Sequence, residues 1–193
     1  MSLTDHNVSD VADLIYQSAP SLFDLMFGKH AIRCITALVR RSHNRFSHQY
    51  IRVAALDHHV VGIVIFVPAE RLKDDADHRE VLTVSQRFWL TLVQRLILRY
   101  VLQHHYPTGS FYIGNLAVAP DYRNQGIGRQ LLSQCIADAN AASSSLFISV
   151  DVNNQRAQKL YESLGFQVVM TKAIRLLGTS IGSRILSISN HAG

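Results

Sequence analysis

The stretch Ala119-Pro120-Asp121-Tyr122-Arg123-Asn124-Gln125-Gly126-Ile127-Gly128 constrains this chain more than any other. Before it, Phe111 to Ala119 reads as a strand. After it, Leu131, Leu132, Cys135, Ile136 and Ala139 recur at helical spacing and predict a helix over Gly126 to Asn140. The first turn of a helix offers about four N–H groups without an intrahelical partner, together with the positive end of the helix dipole. Gly126 and Gly128 allow unusual dihedrals and let a ligand approach the main chain. Arg123 adds a guanidinium, either on a phosphate or bracing the loop through carbonyls. Taken alone, the loop predicts a backbone cradle for a phosphate.

Three cofactor classes compete for such a cradle. A Walker A loop ends in Gly-Lys-Ser/Thr, and here Gly128 is followed by Arg129-Gln130, which excludes it. In a dinucleotide fold Asp151 would pose as the ribose-binding acid. That reading is weakened because Leu131 stands where a third glycine belongs, and ten residues separate Val118 from Gly128.

The next segment narrows the choice. Leu146 to Val152 reads as a strand, and Asn154 is a good N-cap for a helix closed by Gly165. Ala157, Leu160, Tyr161 and Leu164 share one face of it. Tyr161 carries a phenol that needs a partner if buried. Phe166 to Met170 starts another strand and Arg184 to Ser189 the last one.

Upstream, Val8 to Ser18 predicts an amphipathic helix, broken by Ala19-Pro20-Ser21. Leu22 to Phe27 predicts a short helical turn, and His30 to Ser42 a second helix. Gln49 to Leu56 and Val60 to Pro68 form a hairpin about the turn Asp57-His58-His59, and Lys73 to Arg79 reads as a loop. Val81 to Val101 is the longest helical pattern, with a wide stripe including Val84, Phe88, Leu92, Leu96 and Tyr100. Core packing explains that stripe; a homodimer face or a pocket lid is the alternative. The element order predicts α/β or α+β architecture with a mixed sheet.

Composition excludes several classes. At 193 residues and 48% apolar, the chain has a globular profile and the length of one domain, 1–193. No run approaches the ~18 apolar residues of a membrane span. The polar start, Met1 to Asp10, lacks the pattern of a signal peptide. Cys34 and Cys135 fit no metal or redox spacing, and buried thiols in the cytoplasm are expected. The histidines lie singly or in adjacent pairs, so no metal is expected and surface positions are. The net charge of +5 is scattered, with Arg40-Arg41 the only adjacent basic pair, which argues against a nucleic-acid partner.

Arg123-x-x-Gly126-x-Gly128 resembles the Gln/Arg-x-x-Gly-x-Gly/Ala signature of the GNAT superfamily of N-acetyltransferases. Asn154-x-x-Ala157-x-x-Leu160-Tyr161-Glu162-x-x-Gly165-Phe166 is similar to that family's second signature, and Leu116-Ala117-Val118-x-Pro120 to the strand before the loop. The resemblance covers Tyr112 to Phe166. It implies a mixed, twisted central sheet of about six or seven strands with helices on both faces, and acetyl-CoA as co-substrate. The pantetheine would lie between two splayed strands and bond the main chain near Leu116 and Val118, with Ala117 between them counted among the cofactor-binding residues. An N–H there would polarise the thioester carbonyl. Arg123, Asn124, Gln125, Gly126, Ile127, Gly128 and Arg129 would surround the pyrophosphate. Asn154 would contact the pantetheine and Ala157 leave room for it. Tyr161 would protonate the departing thiolate.

Many members carry a glutamate on the strand that here reads Tyr112-Ile113-Gly114-Asn115-Leu116. Without it, Asp151, Tyr112 through a water, or a residue of the N-terminal helices would deprotonate the amine, unless the amine arrives neutral. The acceptor, an unidentified amine of a small molecule or peptide, would be held by Ser18 to Gly28 and by the Val81 to Tyr100 helix. Leu22, Phe23, Leu25, Met26 and Phe27 suit an apolar wall there and suit core packing equally. The alternative is a non-catalytic acyl-CoA-binding or regulatory module.

Overall fold

The structure, a computed structural model, describes residues 1–93, 106–176 and 179–189; of 174–176 and 179–181 only the backbone is described. The N-terminal helices are α1 (Val8–Ser18), α2 (Pro20–Phe27) and α3 (Ala31–Val39). The hairpin β1 (Ile51–Leu56) and β2 (His59–Pro68) follows, then α4 (His78–Val81) and α5 (Val84–Val93). The remaining elements are β3 (Phe111–Val118), α6 (Ile127–Ala141), β4 (Leu146–Asp151), α7 (Gln155–Glu162), β5 (Gln167–Leu176) and β6 (Thr179–Ile188).

The described strands form one six-stranded sheet in the order β1-β2-β3-β4-β6-β5. Only β3 and β4 are parallel; the other pairs are antiparallel. Apolar residues on the two faces build two clusters. One joins α1, α2 and α3 to Ile51, Ile63 and Ile65; the other joins Leu131, Leu132 and Cys135 of α6 to Val64, Ile113, Ile148 and Leu186. Gly62 lets α6 settle on the sheet: a Cβ there would stand 3.0 Å from Ile127 Cγ2 and 3.3 Å from Leu131 Cδ1. The hairpin turn is Asp57-His58, both at positive φ, so His59 already belongs to β2.

Two expectations need correction. The helix expected from Val81 starts at Val84. Leu82 is extended, and Thr83 and Gln86 bond reciprocally, Gln86 Oε1 accepting from Thr83 N–H at 3.0 Å and Thr83 Oγ1 from Gln86 N–H at 3.3 Å. That is a capping box, and it places the boundary there. The buried side of α5 is Leu90 and Val93, whereas Val84 and Phe88 are each 73% exposed. The rest of the expected helix lies outside the described residues. The expected loop Lys73 to Arg79 contains the start of α4 and a buried carboxylate. Asp77 accepts from His43 N–H at 2.7 Å and from Asn44 Nδ2 at 2.8 Å, which pins the chain after α3 to α4.

Candidate active site

The site begins where β3 and β4 part. Their ladder pairs Phe111 to Ile113 with Leu146 to Ile148 and goes no further. Beyond it β3 runs on beside β2 alone. A bulge interrupts that pairing, because Gly114 and Asn115 together oppose Ile65. It re-aims Asn115, whose Nδ2 donates to Ser18 Oγ at the end of α1, 2.7 Å away.

The register decides which main-chain groups face the opening. Ala119 N–H bonds Val61 C=O at 2.9 Å, and Val118 stands opposite Gly62. Val118 and Leu116 are therefore non-hydrogen-bonded positions toward β2, and their peptide groups point to the parted side. Ala117 is turned the other way, toward Ile63. The peptides of Leu116 and Val118 thus face the parting, and that of Ala117, between them, faces β2.

The cradle follows. Gly126 caps α6 at φ +83°, and Asn124 stands at φ +65°. No side chain caps this helix, and Gln130 N–H to Gly126 C=O, at 2.9 Å, is its first turn's bond. The N–H groups of Ile127, Gly128 and Arg129 precede that bond and open toward the loop. Of the two roles for Arg123, the structure shows bracing: its Nε donates to Val118 C=O at 3.0 Å. Gln125 Nε2 donates to Asp121 C=O at 3.2 Å. Two arginines join the cradle to α7. Arg129 donates to Ser163 Oγ at 2.6 Å, and Arg156 to Asn124 Oδ1. Sequence reading passed over Arg156; its signal was a cation in the first turn of the helix that the second signature opens.

On α7, Asn154 Oδ1 accepts from Ala157 N–H at 3.1 Å, an N-cap, and Ala157 is half-buried against the second cluster. Tyr161 is buried, its ring 6.1 Å from Phe166. Burial, and then the field of Tyr112, holds its phenol above the ordinary tyrosine value. No residue among those described hydrogen-bonds the Tyr161 hydroxyl. Tyr112 comes to the parting from the other face of the sheet. Its hydroxyl is 2.6 Å from Ser149 Oγ on β4, and its ring lies 4.9 Å from that of Tyr106, tilted by 37°. The structure thus brings Tyr161, Tyr112 and the strand opening together. Asp151 is employed elsewhere: its exposed carboxylate accepts from Asn153 N–H at 2.7 Å and shapes the turn after β4.

Among the described residues no three His, Cys, Asp or Glu side chains cluster as a metal site, and no helix is long and apolar enough to cross a membrane. Cys34 and Cys135 are free and buried, and burial pushes the Cys135 thiol up to about 12.

A parted parallel strand pair leading into an uncapped helix start is the geometry that the GNAT resemblance implies, and the comparisons give the family. Residues 19–166 match the Acetyltransferase (GNAT) family, and the chain belongs to it. An N-acetyltransferase from Staphylococcus aureus Mu50 superposes with TM-score 0.74 at 22% identity, over 94% of each chain. A GNAT family acetyltransferase from Elizabethkingia anophelis with acetyl-CoA bound superposes with TM-score 0.51 at 18% identity, over 92% of this chain and 88% of that one. At these identities the likeness is one of fold. The [Ribosomal protein bS18]-alanine N-acetyltransferase of Escherichia coli K12 is 45% identical over 53 residues, 27% of this chain and 36% of that protein. The match therefore spans about a third of that curated relative's length.

Proposed function

We propose that this chain, as one domain over 1–193, transfers the acetyl group of acetyl-CoA to a primary amine of a small molecule or peptide. The observation that carries the reading is the join of three features: outward-facing peptides of Leu116 and Val118, the open N–H groups of α6, and a buried Tyr161 whose hydroxyl bonds nothing among the described residues. Ile127, Gly128 and Arg129 N–H groups would hold the pyrophosphate, and Arg129 and Arg156 add positive charge. Peptide groups at Leu116 and Val118 would hold the pantetheine and polarise the thioester carbonyl.

In the step itself the neutral amine attacks the carbonyl carbon. The N–C bond forms, the C–S bond breaks, and the thiolate takes the Tyr161 proton. A water held between Tyr112 and Ser149 would pass the proton left on nitrogen to solvent, and the Tyr161 phenolate would take a proton back from solvent, which closes the balance. Tyr112 is preferred to Asp151 for this place because the Asp151 carboxylate is engaged in its turn. The raised Tyr161 phenol suits an acid, since it stays protonated across neutral pH.

Thiol release from acetyl-CoA over an amine panel is the test. Turnover above hydrolysis with any amine supports the transferase. Acetyl-CoA binding with no acceptor-dependent release favours the non-catalytic module. We also read the chain as cytoplasmic, since its thiols are free, and without nucleic-acid or membrane partners, since its basic residues are scattered. The exposed Val84, Phe88, Trp89 and Leu92 of α5 are the face through which a homodimer would form; light scattering tests that.

A further inference from the structure

Asn115 is the one polar side chain of β3 beyond the last β3–β4 pair, Ile113 with Ile148, and the reaction as set out leaves it unused. Its surroundings fix which way the amide faces. The Ser18 hydroxyl has a single proton and donates it to Ile15 C=O at 2.6 Å, since a carbonyl cannot donate. Toward Asn115, 2.7 Å away, Ser18 Oγ can therefore only accept. The Asn115 atom that meets it must be Nδ2, and Oδ1 takes the other branch of the planar amide. Oδ1 accepts no hydrogen bond among the described residues, and the side chain is half-buried.

This oxygen shares a face of the sheet with the Tyr112 hydroxyl. Ile113 packs into the α6 cluster, so its neighbour Tyr112 belongs to the opposite face. Ser18 draws Asn115 to that same face, where α1 packs with Ile63 and Ile65. Gly114, between Tyr112 and Asn115, adds no side chain. A Cβ there would lie 3.9 Å from Tyr112 Cε1, so the Tyr112 ring reaches along β3 as far as Gly114. The Tyr112 hydroxyl, 2.6 Å from Ser149 Oγ, stands on the β4 side of the parting, and Asn115 on the α1 side. The peptide of Leu116, the residue after Asn115, faces the opening.

A neutral primary amine has one lone pair and two N–H groups. With the lone pair aimed at the thioester carbonyl, both N–H groups need acceptors once bulk water is excluded. The water held between Tyr112 and Ser149 takes one of them. We propose that Asn115 Oδ1 takes the other. Asn115 is then a specificity-determining residue. It turns the lone pair onto the carbonyl carbon, and it selects a primary amine over an N-alkylated one, which carries an alkyl group in place of the second N–H. Ser18 is a positioning residue that acts through the Asn115 amide. The assignment rests on the transferase reading, and its test is arranged to separate the two.

The experiment runs the amine panel, benzylamine and alaninamide included, beside the N-methyl derivative of each amine in the thiol-release assay with the full chain. The primary-to-secondary ratio of kcat/KM is read, because the active fraction of a preparation cancels in it. In the unsubstituted protein the ratio should be at least about tenfold, since an N-methyl amine leaves Oδ1 facing an alkyl group. N115L, which keeps the size of the side chain and removes the acceptor, should lower the ratio at least about fivefold. S18A should lower it in part, and S18T, which keeps the hydroxyl, should not. A merely structural role would slow both amines together and leave the ratio alone. A second arm needs no turnover: N-benzylacetamide, which keeps one N–H, and N-benzyl-N-methylacetamide, which has none, are titrated into the coenzyme A complex. The first should bind at least about fivefold more tightly, and N115L should remove the difference. If no amine is turned over but this binding preference appears and is lost in N115L, the transferase reading fails and the Asn115 assignment stands. A ratio that survives N115L overturns the assignment and leaves the transferase reading intact. Equal ratios in the unsubstituted protein, or no response in either arm, overturn it as well. Should N115L not fold, the S18A and S18T ratios decide in the same way.

Discussion

The two glycines of the cradle should respond to alanine in opposite directions. Gly126 stands at φ +83°, and a Cβ there would meet nothing within 4 Å. The cost of Gly126→Ala is therefore conformational rather than steric. An L-residue in the left-handed region costs roughly 1–2 kcal/mol, partly offset by the stiffer unfolded chain. A net loss of about 1 kcal/mol lowers the melting temperature by about 2–4 °C in a chain of this size. The strained cap can relax only by turning its peptides, so KM for acetyl-CoA should rise several-fold. Gly128 is already helical, and its Cβ would sit 3.7 Å from Val118 Cγ2 and 3.9 Å from Leu116 Cδ2, ordinary contact distances. Gly128→Ala gains up to about 1 kcal/mol of helix propensity, so the melting temperature should rise by about 2–4 °C with acetyl-CoA binding nearly unchanged. Thermal melting without ligand and titration calorimetry with acetyl-CoA read both effects. If Gly128→Ala loses more affinity than Gly126→Ala, the backbone cradle is not built as argued here.

Tyr161→Phe removes a hydroxyl that bonds nothing among the described residues, so stability should hold while kcat falls about 10²-fold or more, the range of a lost general acid. In the unsubstituted protein kcat/KM should rise with pH as the amine loses its proton. It should show no falling limb through pH 10, because the raised phenol pKa keeps Tyr161 protonated there; a limb near pH 7 to 8 would remove it as the acid. Asn154→Ala deletes the α7 cap and should cost about 1 kcal/mol by denaturant unfolding, while Asn154→Asp should keep most of it. Asp77→Ala strands two donors, His43 N–H and Asn44 Nδ2, and should cost about 3 kcal/mol, lowering the melting temperature by roughly 6–12 °C. Cys34 and Cys135, with thiol pKa values raised by burial, should resist an aromatic disulfide reagent at pH 8 and both react once the chain is unfolded.

What could be read from the sequence was local. The Asn154 cap, the Gly165 stop and the glycines opening α6 all act within a few residues of themselves, and each leaves a residue-type signature. The Thr83–Gln86 capping box was equally local and was masked by the apolar stripe running through it from Val81. The stripe misled for a physical reason as well: Val84 and Phe88 are spaced for burial, but α5 packs through Leu90, Val93 and the Trp89 Nε1 bond to Leu25 C=O, leaving them in water. Other features depend on partners far along the chain. Asp77 with His43, Asn115 with Ser18, Arg156 with Asn124 and Tyr112 with Ser149 lie more than 30 residues apart, and no periodicity announces them. The bulge at Gly114-Asn115 is likewise a property of two strands in register.

This difference maps onto the two substrates. On the proposed reading the donor side is made from peptide groups, at Leu116, Val118 and the first turn of α6, and a peptide group is the same whichever side chain carries it. Only the dihedrals and the close approach need specifying, which glycine does in a short motif. The acceptor side would be made instead from side chains gathered from α1, β3 and β4, such as Ser18, Tyr112 and Ser149. On that reading Ser18, Tyr112 and Ser149 would vary with the amine while the cradle keeps one donor. If so, substitutions that change acceptor preference should leave KM for acetyl-CoA alone, and substitutions at Gly126 should shift that KM equally for every acceptor. A Gly126→Ala protein that altered the ranking of acceptors would show that the two halves are coupled through the Val118 carbonyl that Arg123 holds.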